Sequence, residues 1–151
     1  MHSITVRVAV PADRKPLEAI QWRASLNNPG DRDALLANPD AIELPVQQIE
    51  GGGVFVAEVN RSIKGFAAIL PRHDGNAELD ALFVEPESWR QGIGRILVEH
   101  CCFAAKAAGA SAVHVIGNPH AERFYGACGF KTLGTEETRF GVGLLMKRDL
   151  V

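Results

Sequence analysis

The chain has little cysteine, no long apolar run and no excess of either charge. Its three cysteines, Cys101, Cys102 and Cys128, show no C-x-x-C spacing. An odd count placed on helical stretches argues against a disulfide framework and against a zinc or redox motif, so they read as reduced and mostly core. No segment approaches the ~18 consecutive apolar residues of a membrane helix. Within the first twenty residues stand Arg7, Asp13, Arg14 and Lys15, a pattern unlike a secretory signal. The formal net charge of -2 supplies no general attraction to nucleic acid or to a membrane surface. Repeats, low-complexity tracts and linkers are missing as well. These absences lead to the expectation of one cytoplasmic domain over residues 1–151, without a metal, acting on a small molecule or a peptide.

What is present reads as a mixed α/β domain. A chain of 151 residues, 46% of them hydrophobic, is long enough to bury a core without covalent staples. Ile4, Val6 and Val8 alternate with Thr5 and Arg7, which predicts a first strand with one buried face. Pro11 to Asp13 open a helix that runs to about Ser25 and is broken over residues 27–30. Two helical pieces are predicted at 31–37 and 39–50, before the turn at Gly51 to Gly53. Apolar runs at 54–59 and 63–70 have hairpin spacing, and a further strand covers 77–84. Residues 92–108 carry helical periodicity and end at Gly109. A strand at 111–116, a short helix at 119–128, and strands at 130–133 and 143–147 complete the pattern. Antiparallel hairpins therefore flank one strand-helix-strand crossover.

Two separated segments carry the chemistry. In the first, the acidic strand Glu78, Leu79, Asp80, Ala81, Leu82, Phe83, Val84 leads into the turn Trp89, Arg90, Gln91, Gly92, Ile93, Gly94, Arg95. In the second, Asn118, Pro119, His120 and Ala121 are followed by Phe124, Tyr125, Gly129 and Phe130. Taken alone, a glycine-rich turn opens helices in many contexts. The pair resembles the GNAT superfamily of N-acetyltransferases, with its Q/R-x-x-G-x-G/A turn and later N-x-x-A-x-x-F-Y segment ending in Gly-Phe. The motifs cover about a third of the chain. One departure is visible, since Trp89 stands where that family carries Arg or Gln.

The resemblance implies a GNAT-like acyl-CoA N-acyltransferase fold, a central and mostly antiparallel sheet flanked by helices, with acetyl-CoA as co-substrate and a primary amine as acceptor. It assigns pyrophosphate to the turn Arg90, Gln91, Gly92, Ile93, Gly94 and Arg95, where unpaired N–H groups and the helix dipole favour an anion. Leu82, Phe83 and Val84 line the pantetheine by position, Asn118 contacts it, and Phe124 belongs to the same site. An alkyl ammonium with a pKa of about 10 must lose a proton before it attacks. Glu78 stands at the place of a catalytic carboxylate in some members, with Asp80 two residues on and a water chain as the alternative. Tyr125, the single tyrosine, falls at the position of the acid that protonates the leaving thiolate. Trp22 and Arg23 occupy a region that shapes acceptor pockets, which are drawn from residues 22–50 and 134–143. The acceptor is left open among a polyamine, an aminoglycoside-like amine, an amino acid and a peptide N-terminus, as is a homodimer. A coenzyme A-binding sensor or adaptor without catalysis is the rival reading. A dinucleotide-binding module is weaker, because Leu97 stands where its third glycine belongs.

Overall fold

The computed structural model describes residues 3–28, 31–139 and 141–151. Seven strands form one sheet: β1 Ile4–Val8, β2 Val54–Val59, β3 Ser62–Pro71, β4 Ala77–Val84, β5 Ala112–Gly117, β6 Lys131–Thr138 and β7 Gly141–Asp149. Their spatial order is β1-β2-β3-β4-β5-β7-β6. Every pairing is antiparallel except β4 with β5. That parallel pair requires a crossover, which the helix α4 Ile93–Ala107 provides. The expected mixed α/β fold with a mostly antiparallel sheet is the observed one.

Helices cover both faces. On one side Ile93, Leu97, Val98 and Cys101 of α4 pack on Ala67, Leu79 and Val113. On the other, Leu17 and Ile20 of α1 Arg14–Asn27 and Ile49 of α3 Val46–Glu50 pack on Val54, Val56 and Phe66. The entry to α1 is pinned by Arg7, which donates to both carboxylate oxygens of Asp13 at 2.8 and 3.0 Å. Asp13 also accepts from Val10 N at 2.8 Å. The guanidinium, with that amide, holds the Asp13 carboxyl below its ordinary range.

Of the predicted break over 27–30, Asn27 still closes α1, positions 29 and 30 lie outside the described residues, and α2 follows at Arg32–Ala37. Two other predicted boundaries are corrected. The helix predicted at 39–50 shrinks to α3 alone. Its first part is held non-helical because the Leu44 amide donates to the Glu18 carboxylate (2.8 Å) and Arg14 Nε donates to the Leu44 carbonyl (2.9 Å), with extended Pro45 next in line. At the C-terminal end, the supposed connection over 134–143 is largely strand. Thr135 pairs with Leu144 and Glu137 with Val142, making a long edge hairpin.

Gly65 on β3 lets β4 lie close: a Cβ there would stand 2.9 Å from the Phe83 carbonyl oxygen and 3.3 Å from side-chain atoms of Leu97 and Val84. Backbone cannot yield as a side-chain tip does. We expect Gly65→Ala to cost about 2 kcal/mol by overpacking, read as a lower denaturation midpoint at unchanged slope in urea. An unchanged midpoint would show that β4 is loosely held here.

Candidate active site

The sheet opens where its one parallel pair ends. β4 and β5 are in register only across Ala77–Leu79 and Val113–Val115. Both strands run on, to Val84 and Gly117, so they splay into a V. A register shift against β3 leaves Asp80 as an extra residue, with Ile69 opposite Leu79 and Ala68 opposite Ala81. This bulge inverts the alternation. Ala77 and Leu79 face α4 before it, Leu82 and Val84 face α4 after it, and Phe83 turns to the α1 side against Phe66, at a centroid distance of 5.7 Å. A cleft of about 810 Å³ fills the V, a size typical of small-molecule sites. Between Asp80 and Val84, β4 has β3 on one edge and no partner strand on the other among the described residues. Backbone donors on that free edge are available to the cleft.

At the mouth of the V, α4 begins. Gly92 caps it with φ 84°, and Arg90 is left-handed too, with φ 66°. Ile96 N donates to the Gly92 carbonyl at 3.1 Å, which leaves the N–H groups of Ile93, Gly94 and Arg95 without intrahelical partners. These three residues, Gly92 and Arg90 all line the cleft. Gln91, expected among them, is exposed and does not. Gly94 is needed for space, because a Cβ would meet the Phe124 ring at 3.2 Å. Trp89 is explained by its own bond: Nε1 donates to the Val84 carbonyl at 2.8 Å. The indole thus ties the turn to the end of β4, a use that an Arg or Gln reaching for a ligand would not have.

The second motif forms the opposite wall. Asn118 Oδ1 accepts from His120 N at 2.9 Å, starting the turn into α5 Glu122–Ala127, while Nδ2 donates to Asp31 Oδ1 at 2.8 Å. Tyr125 is buried and touches Phe124 and Phe130 edge-on, at centroid distances of 5.2 and 5.6 Å. Gly117 admits its ring, as a Cβ there would lie 3.1 Å from it. Among the described residues no group hydrogen-bonds the Tyr125 hydroxyl. Burial first, with the nearby Asp31 carboxylate adding to it, pushes the phenol above its ordinary value, so it stays protonated. The two strand carboxylates separate. Asp80 lines the cleft and accepts from Gln48 Nε2 at 3.4 Å. Glu78 lies outside the lining, 3.6 Å from Arg72 Nη1.

Family and fold can be compared with known proteins. Residues 17–130 match the model of the acetyltransferase (GNAT) family. The chain belongs to that family. Among solved structures, the GCN5-related N-acetyltransferase from Rhodopseudomonas palustris is 19% identical, with a TM-score of 0.82 over 99% of this chain and 98% of that one. YncA of Salmonella typhimurium, a putative acetyltransferase solved with its cofactor acetyl-CoA, is 22% identical, with a TM-score of 0.73 over 99% and 95%. PaiA N-acetyltransferase of Thermoplasma acidophilum, in complex with coenzyme A, is 19% identical, with a TM-score of 0.75 over 97% and 99%. Comparison with curated protein sequences gives no match. No helix among the described residues is long and apolar enough to cross a membrane.

Within this GNAT chain, some residues serve differently from the sequence expectation. Arg23 does not line the cleft. It clamps Glu85, at the end of β4, with two bonds of 2.7 and 2.6 Å. Trp22 lies outside the cleft lining as well. Asp31, which belongs to no motif in the sequence, is a cleft residue. A 151-residue chain gives no local signal for it, since its partner Asn118 is 87 positions away. The cysteines are all buried, and burial raises each thiol, Cys101 to about 12. A raised value keeps the thiol neutral and slow as a nucleophile. Folded protein at neutral pH should therefore leave a disulfide-exchange thiol reagent nearly unconsumed, with three equivalents consumed after denaturation. Rapid labelling of Cys128 in the fold would contradict this.

Proposed function

We propose that this GNAT domain transfers the acetyl group of acetyl-CoA to a primary amine by direct attack in a ternary complex. The observation that carries the reading is the meeting of the unpaired α4 N-terminus, the free edge of β4 and Tyr125 on one cleft. The N–H groups of Ile93, Gly94 and Arg95, with the charges of Arg90 and Arg95, suit the pyrophosphate. Leu82, Phe83, Val84, Asn118 and Phe124 would hold the pantetheine arm, and backbone donors beyond the Asp80 bulge would polarise the thioester carbonyl.

For the proton, we favour Asp80, directly or through a water, over Glu78, because Asp80 faces the cleft and Glu78 is committed to Arg72. The ammonium loses one proton before attack. As the C–S bond breaks, the leaving thiolate takes a proton from Tyr125, and the second amine proton restores the phenol. The same dry surroundings that raise the phenol also raise a thiolate's affinity for protons, which keeps donor and acceptor matched. The test is amine-dependent thiol release from acetyl-CoA, with the acetylated amine identified by mass. Tight coenzyme binding without amine-dependent release would favour a sensor.

A further inference from the structure

We propose that the acceptor is a compact primary amine bearing an uncharged apolar substituent, its ammonium held by Asp31 and its substituent seated in a side pocket between α1, α2 and β4. This rests on the acetyltransferase reading above and specifies its second substrate. A pocket of about 170 Å³ adjoins the main cleft and shares Asp31 and Phe83 with it. Its other walls are chiefly apolar, from Ala34 and Leu35 of α2 and from Ala41 and Ile42. Gln21 and Ser25 add neutral polar groups, and among the described residues no Lys, Arg or His lines it.

Asp31 stands at the junction. Its Oδ1 accepts from the neutral Asn118 amide at 2.8 Å, which orients the carboxylate without cancelling its charge. No ion pair among the described residues includes Asp31. A charged acceptor supplies the missing partner, and a charge-assisted bond to Oδ2 is the strong kind. The Asp31 charge is also near enough to act on Tyr125, so an amine docked there lies on the reacting side of the cleft.

Size and polarity restrict the substituent on the nitrogen. An apolar cavity of about 150 Å³ accommodates a benzene ring, so this pocket takes a phenyl or a branched alkyl group. A second ammonium, as in a polyamine, would be desolvated among Ala34, Leu35 and Ile42 without a partner. An amino acid's carboxylate meets no cation in the pocket and a repelling carboxylate at its mouth.

The experiment measures kcat/KM with acetyl-CoA for benzylamine, 3-methylbutylamine, methylamine, spermidine, glycine and an alanine-initiated tetrapeptide. Benzylamine or 3-methylbutylamine should exceed the others by about tenfold or more, the range set by filling an apolar pocket. Asp31→Asn preserves the acceptor for Asn118 but removes the charge. It should raise KM for benzylamine about tenfold or more with coenzyme affinity retained. Ala34→Phe should lower the benzylamine-to-methylamine ratio by a comparable factor. Preference for spermidine, glycine or the peptide, or an unchanged KM in Asp31→Asn, overturns the acceptor assignment and leaves acetyl transfer standing. Coenzyme binding with no release for any amine overturns the transferase reading itself.

Discussion

Tyr125→Phe lowers kcat by about a hundredfold or more, the usual contribution of a positioned acid, and leaves the dissociation constant for acetyl-CoA unchanged. The separation of the two effects follows from the packing. The ring is fixed by edge contacts to Phe124 and Phe130 and by the space over Gly117, and phenylalanine keeps all of these. Only the hydroxyl is lost, and no group among the described residues depends on it. Its sign with pH is also set. Because burial raises the phenol above its ordinary 10.0, the wild-type rate shows no loss from tyrosine ionisation up to that pH. Over the same range the rate rises as the amine sheds its proton. A variant with full turnover removes Tyr125 from the chemistry. A variant with weakened coenzyme binding makes it a wall of the site.

Gly94→Leu abolishes most coenzyme affinity, with a rise in dissociation constant of about tenfold to a hundredfold, the worth of one or two charge-assisted hydrogen bonds. A single Cβ at this position already meets the Phe124 ring at 3.2 Å, so a branched side chain must push either into that ring or into the space beside the free N–H groups. Leucine is the better helix former by close to 1 kcal/mol, which offsets part of the overpacking against Phe124, so the loss of stability is expected to be smaller than the loss of binding. Titration calorimetry with acetyl-CoA, alongside thermal denaturation, separates the two. Undiminished binding would mean that the α4 N-terminus does not hold the pyrophosphate.

How much of this was legible in the sequence depends on how far each feature reaches along the chain. The α4 start was readable because Gly92 and Gly94 precede a clean apolar stripe, and the β2–β3 hairpin because its strands are buried and continuous. The bulge at Asp80 was invisible in the residues themselves, since the strand from Leu79 to Val84 is apolar apart from Asp80 and fits either alternation. The β6–β7 hairpin was underestimated because Thr135, Glu136 and Glu137 lie on an exposed edge and carry no alternating pattern. Residues 39–50 looked helical, yet Glu18 and Arg14 of α1 hold Leu44 by its backbone. In the site, Gly94, Asn118, Phe124 and Tyr125 came from motif spacing. The placement of Asp31 in the cleft, and of Asp80 but not Glu78 in its lining, depends on contacts between distant segments, which spacing does not encode.

Under the proposed function, one cleft binds acetyl-CoA and an amine together and passes the acetyl group directly between them. Initial rates over a matrix of acetyl-CoA and benzylamine concentrations, with intact-protein mass recorded at steady state, test it most directly. Direct transfer predicts intersecting double-reciprocal lines, acetylated amine as product and a protein mass without an added acetyl group. Parallel lines with an acetylated protein would contradict it.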